Sequence, residues 1–187
     1  ALDPGRLSEV EAAALAEQLE ETAGALEATN PDLAQQLQEA AQAVRQGAVA
    51  VIAEESAVVE AFPDTPVIRV PDSRKALARL AATFYDYPSR RIKLVGITGT
   101  KEKTTTSYLT RSIIEAAGQP TGLIGTIDYR IGDRVYPAPN TTPESLDLQA
   151  LFAEMAERGT KYCVLEVSSH ALVLGRTDEC VFEAAAF

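Results

Sequence analysis

Residues 92–107, Ile-Lys-Leu-Val-Gly-Ile-Thr-Gly-Thr-Lys-Glu-Lys-Thr-Thr-Thr-Ser, hold the side chains best spaced for chemistry. The apolar run Ile92–Ile97 predicts a buried strand. Gly99 turns the chain, and the Thr run after Lys103 opens a helix. A strand, a tight loop and a helix N-terminus in that order form an anion site, because the first helical N–H groups lack partners and the helix dipole favours negative charge there. Lys103 would reach β/γ-phosphates and Thr104 would offer its hydroxyl to Mg²⁺. The match to G-x-x-x-x-G-K-[ST] is broken, because Glu102 stands where that pattern has glycine before the lysine. A carboxylate and a Cβ at that place predict a weak grip on phosphate.

Other residues read less specifically. Glu166 closes an apolar run, Tyr162–Val167, where a carboxylate suits a hard cation; the alternative is a solvated strand end. Thr141-Thr142-Pro143 offers two hydroxyls before a helix start, as an anion grip or as plain N-capping by Thr142. Arg176 would pair with a carboxylate or phosphate, or stand as a surface charge. His170, the sole histidine, reads as a positioning residue of the Ser168–His170 turn rather than a general base.

These residues need an alternating scaffold, and the chain supplies one. After the loop come a helix Thr104–Ala117, a strand Thr121–Thr126, and a hairpin Ile127–Ile131/Arg134–Tyr136 around Gly132-Asp133. A helix Glu144–Arg158 comes next, with Leu146, Leu148, Leu151 and Met155 expected to be buried, then a short turn or helix over Ser168–Gly175 and a strand Val181–Phe187. The fold class is α/β with a mostly parallel P-loop sheet. Upstream, Ser8 with Glu11 reads as a capping box. Val10, Ala14, Leu15, Leu19, Ala23 and Leu26 mark one helical face, and Asn30-Pro31 starts a second helix lined by Leu33, Leu37, Ala41 and Val44. The hairpin 8–46 would pack its stripe on the protein's own sheet, or self-associate or bind a partner. Strands Ala48–Ala53 and Val67–Val70, a polar connection Glu54–Thr65 and a helix after Asp72 complete an N-terminal α+β region, 1–88; the shift in composition at Tyr87–Arg91 opens a partial central domain, 89–187.

The net charge of −10 over 187 residues argues against general binding to nucleic acid or anionic membranes. No apolar run approaches the roughly 20 residues of a membrane span. Cys163 and Cys180 read as reduced core residues of a cytoplasmic protein.

Several stretches together resemble the Mur ligase family, MurE-type: the ligase adding the third residue to UDP-N-acetylmuramoyl-dipeptide in peptidoglycan synthesis. They are Ala43–Glu54, Val70–Lys75, Gly96–Thr100 with Lys103–Thr106, Asn140–Glu144 and Glu166–Leu172. The last two, in that order, favour this family over a folylpolyglutamate synthetase. The resemblance implies that Gly99, Thr100, Lys103, Thr104 and Thr105 hold ATP phosphates and that Thr104 and Glu166 ligate Mg²⁺. Lys103 and Glu166 would be catalytic, and Asn140, Thr141, Thr142, Ser168 and Arg176 would contact the UDP-muramoyl peptide. It implies amide-bond formation through an acyl-phosphate. Lys101 and Glu102 replace the family's Asn and Gly, the hairpin replaces its uridine pocket, and its carbamylated lysine and C-terminal domain would lie beyond Phe187. The expectation is thus a truncated and altered, engineered chain without turnover. The alternative is a scaffold or partner module that keeps the fold without nucleotide.

Overall fold

The computed structural model describes residues 9–28, 31–54 and 66–187. The chain divides into two compact units, Ala1–Ser73 and Arg74–Phe187. The expected Ser8 cap, the Asn30 cap and the connection 55–65 lie outside the described residues.

In the first unit, α1 (Glu9–Leu26) and α2 (Pro31–Arg45) form the expected helical hairpin. Ala16, Leu19 and Ala23 of α1 meet Leu37, Ala41 and Val44 of α2, with Val51 and Val67 packed against them. Leu19, Ala23, Leu37, Ala41 and Val44 of the expected stripe are therefore buried within their own unit, while the side chains of Val10, Leu15, Leu26 and Leu33 lie outside the described residues. Ala14 is a correction: it is exposed, because the buried face runs through Ala16 instead. Gly47, with φ 98°, ends α2 in a backbone shape that glycine adopts freely. Two short strands, β1 (Val51–Glu54) and β2 (Val67–Val70), pair in parallel, the first starting later than the expected Ala48. Glu54 accepts from both the backbone N–H and the hydroxyl of Ser73, at 3.0 and 2.8 Å.

The second unit begins in α3 (Ser73–Phe84), with a 3-10 turn at Pro88–Arg90 after it, so the composition shift at Tyr87–Arg91 falls inside this unit. Its further elements are β3 (Lys93–Ile97), α4 (Lys103–Ala116), β4 (Thr121–Ile124), β5 (Asp128–Ile131), β6 (Arg134–Pro137), α5 (Ser145–Glu157), β7 (Tyr162–Glu166), α6 (Ser169–Val173) and β8 (Phe182–Ala186). One six-stranded sheet runs β6-β5-β4-β7-β3-β8. The four strands β4, β7, β3 and β8 are parallel; β5 and β6 are the antiparallel hairpin turned by Gly132 at φ 58°.

Side chains alternate across β7, as the two-residue period of a strand requires. Cys163 and Leu165 face a core with Leu148, Phe152 and Met155 of α5, while Val164 faces Ile97, Leu123, Tyr108 and Ile114 on the α4 side. Burying Phe152 alone contributes about 2–3 kcal/mol. The same alternation sends Glu166 to the α4 side. On α5, Leu148, Phe152 and Met155 keep one face at helical spacing, and Leu146 falls off it: contrary to expectation it is 44% exposed. Among the described residues no helix is long and apolar enough to cross a membrane.

Candidate functional site

Three parallel strands, β3, β7 and β4, end side by side, and the segments leaving β3 and β4 converge on Glu166 at the end of β7. Register places Glu166 beside Ile97, the last residue of β3. The carboxylate is fully buried, so it is not a solvated strand end. Thr104 in the first turn of α4 donates to Oε2 at 3.0 Å, and Ser107, one turn on, lies 3.0 Å from Oε1. From the end of β4, the Thr126 hydroxyl donates to Oε2 at 3.0 Å and its N–H points at Oε1 at 3.4 Å. Gly125 makes this approach possible: a Cβ there would lie 2.9 Å from Glu166 Cδ and nearer still to Oε1.

Among the described residues, the hydrogen bonds reaching this carboxylate come from three hydroxyls and one amide, none of them cationic. A buried carboxylate met only by neutral donors carries a charge that a bound cation would offset. A carboxylate plus a threonine hydroxyl is a hard-oxygen pair, the donor type Mg²⁺ selects. Among the described residues no group of three or more His, Cys, Asp or Glu gathers anywhere. A small number of protein ligands also suits Mg²⁺, which keeps waters and substrate oxygens in its shell. The residues present fit that ion.

The loop before α4 turns through two residues of positive φ. Gly99 has φ 140°, and Glu102, at the N-cap of α4, sits in the left-handed region at φ 63°, ψ 6°. That is the conformation glycine would adopt without strain; a glutamate there costs about 1–2 kcal/mol. Lys103 Nζ reaches back across the loop to the Gly99 carbonyl at 2.8 Å. Residues 97–103, Thr106 and the end of β8 line a cavity of about 350 Å³. Thr100, Lys101, Glu102 and Thr105 are exposed around it. The N-terminus of α4 favours negative charge here, while the side chain of Glu102 opposes it.

The segment 140–144 closes on the same strand end. Thr142 is buried; its hydroxyl donates to the Glu166 carbonyl at 2.9 Å and accepts the Ser168 N–H at 3.1 Å. It does not cap α5, whose N-cap is Glu144. Ser168 caps α6 by accepting the Ala171 N–H. Arg176 donates to the Thr142 carbonyl at 2.9 Å and pairs with Glu144 at 2.5 Å, with its side chain only 14% exposed. It is not a free surface charge, and among the described residues its buried Nε has no hydrogen-bond partner. Arg74 sits 3.6 Å from the other Glu144 oxygen. Asn140 is held by its carbonyl, which accepts from the Tyr129 hydroxyl. Thr141 lies 3.1 Å from the Thr126 hydroxyl. His170 is exposed on α6.

Sequence reasoning thus named Thr104, Glu166, Thr141, Thr142, Ser168 and Arg176, and the fold gathers them. It missed Ser107, Gly125 and Thr126. The one available signal was a Gly-Thr pair shortly after an apolar strand, repeated at 99–100 and 125–126.

Residues 97–187 match the Mur ligase middle domain. The chain is 49% identical over 148 residues to a UDP-N-acetylmuramoyl-L-alanyl-D-glutamate–2,6-diaminopimelate ligase of Geobacillus thermodenitrificans, covering 79% of this chain and 29% of that protein. It is 47% identical to the ligase of the same name from Caldanaerobacter subterraneus subsp. tengcongensis, covering 78% and 30%, and 50% identical to that of Streptomyces coelicolor, covering 78% and 29%. A solved structure of a ligase so named superposes with a TM-score of 0.65 at 30% identity, over 85% of this chain and 31% of that one. The chain spans about 30% of the length of the curated relatives it matches.

Proposed function

Over residues 97–187 the chain belongs to the Mur ligase family, and from that premise we propose that it carries the metal side and part of the peptide side of an ATP-dependent amide ligase. The parent activity on this reading is addition of the third residue, diaminopimelate by the relatives' names, to UDP-N-acetylmuramoyl-L-alanyl-D-glutamate in the cytoplasm. The observation that supports it most is the buried Glu166 carboxylate, bonded by the first-turn hydroxyl of α4 and by no cation among the described residues.

Thr104 and Glu166 would hold Mg²⁺, and the amides opening α4 with Lys103 would hold ATP phosphates. When bound, Mg·ATP supplies the phosphoryl group that activates a substrate carboxylate for attack by an amine. Lys103 has its ammonium on the Gly99 carbonyl, which uses one of its three donors and leaves the others for phosphate. Thr142 and Ser168 fix the strand end, while Arg176 is anchored on Glu144 and the Thr142 carbonyl, which holds its guanidinium beside the segment 140–144. Glu102 weakens the phosphate grip, so the chain would bind nucleotide poorly and not turn over.

Titration calorimetry with Mg·ATP tests this on the chain and on its Lys101→Asn/Glu102→Gly variant. Weak binding that strengthens at least tenfold in the variant is expected. Equal, tight binding by both would overturn the reading of the loop; no binding by either would overturn the nucleotide site itself.

A further inference from the structure

We propose that Thr126 is a positioning residue that joins the two halves of the site, tying the peptide-side segment 140–142 to the metal-side carboxylate. The inference rests on the reading of Thr104 and Glu166 as the metal side. Thr126 lies on neither half in sequence: it comes just after β4, 15 residues before Thr141 and 40 before Glu166.

The hydrogen bonds around it have only one consistent direction. A hydroxyl has one proton to give. Glu166 as a carboxylate can only accept, so Thr126 spends its proton on Oε2 at 3.0 Å. Its oxygen then accepts from Thr141, 3.1 Å away. The result is a directed chain, Thr141 to Thr126 to Glu166, ending on the oxygen that Thr104 also bonds at 3.0 Å. Hydrogen bonds in such a chain polarise one another. Gly125 is the structural counterpart: without a side chain it lets the backbone press against the carboxylate, so that Thr126 meets both oxygens, one by hydroxyl and one by N–H. Thr126 is itself exposed, so a ligand displacing Thr141 from it would be felt at Oε2 without any movement of the strands.

Two readouts test the link, one with no ligand. In threonine-methyl NMR of the full chain, Thr141→Val is expected to shift the Thr104 methyl resonance in the parent, to leave it unmoved when Thr126→Val is also present, and to shift it again with Thr126→Ser. An unmoved Thr104 methyl in the parent, or an equal shift in the Thr126→Val background, overturns the proposal. The second readout is Mg²⁺ dependence of ATP affinity in the Lys101→Asn/Glu102→Gly variant. Losing a hydrogen bond to a charged group predicts roughly a tenfold fall in Mg·ATP affinity with Thr126→Val, no change for ATP without metal, and recovery with Thr126→Ser. Equal losses with and without Mg²⁺ would mean a merely structural role and overturn it. If no variant binds ATP, the nucleotide reading fails, and the methyl experiment still decides the role of Thr126.

Discussion

Gly125 stands so close to Glu166 that an added Cβ would fall 2.9 Å from the carboxyl carbon, and the bonded carboxylate would have to shift. Backbone of one strand end thus packs directly on the buried acid of its neighbour. Gly125→Ala should destabilise the second unit by about 1–3 kcal/mol through overpacking. Gly24, inside α1 with nothing within 4 Å of its added Cβ, gives the contrast. Gly24→Ala should stabilise the first unit by about 0.5–1 kcal/mol from helix propensity alone. Urea unfolding of the two variants checks the opposite signs.

Glu102 offers a second test, in which strain and entropy compete. Glu102→Gly releases the left-handed strain at φ 63°, worth about 1–2 kcal/mol. It also loosens the unfolded chain, at a cost of about 0.4–1 kcal/mol. Strain wins, so a net gain of about 0.5–1 kcal/mol is expected by calorimetric melting. Glu102→Ala keeps a Cβ and should lack that gain while still removing the charge. The pair therefore separates the shape of the loop from its electrostatics.

Acid should expose the role of Asp128. Arg130 bonds both its oxygens, at 2.9 and 2.7 Å, and holds the carboxyl below its ordinary 3.8 against the opposing effect of burial; the Tyr108 hydroxyl at 2.7 Å helps. A lowered native pKa stabilises the fold above the unfolded value, and that stability is lost as pH falls through the native one. Asp128→Asn should therefore cost stability at neutral pH and flatten the decline below pH 3.8. Unfolding midpoints measured from neutral pH into that acid range would show it.

The cysteines should be inert while the fold lasts. Burial, with the charges of Asp178 and Glu179, pushes the Cys180 thiol up to about 12, partly offset by the Gln149 amide. Cys163, fully buried in β7, is pushed up by burial as well. Because thiolate is the reactive form, labelling of Cys180 near neutral pH should run about a thousandfold slower than for a free thiol. Both cysteines should react at ordinary rates once denaturant unfolds the chain. Cys180 is only half-buried, so slow labelling there would report its raised thiol pKa rather than full enclosure, and rapid modification without denaturant would contradict that shift.

Much of the scaffold was legible because it is local. The β-branched run before Gly99, the Gly132 turn and the Pro31 start each carry their own signal within a few residues. The strand–loop–helix at 92–107 and the hairpin at 127–136 come from those signals. The hydroxyls on Glu166 were illegible for the opposite reason. Ser107 and Thr126 lie 59 and 40 residues away from it, and nothing in a serine or threonine announces a partner at that range. Only the order β4-β7-β3 brings them together. Leu146 shows a third case: apolarity alone put it in the core, but helical phase gave that face to Leu148, Phe152 and Met155.

The sheet's margin at β6 has a consequence for behaviour in concentrated solution. Arg134 opens that strand with its guanidinium tethered to Glu154 at 3.2 Å, and Pro137 ends it with a nitrogen that bears no hydrogen. A guest segment trying to zip onto this flank would meet fixed charge at one end and a missing donor at the other. Fibril seeding from this side of the molecule is thereby discouraged, even though Val135 lies bare to water there.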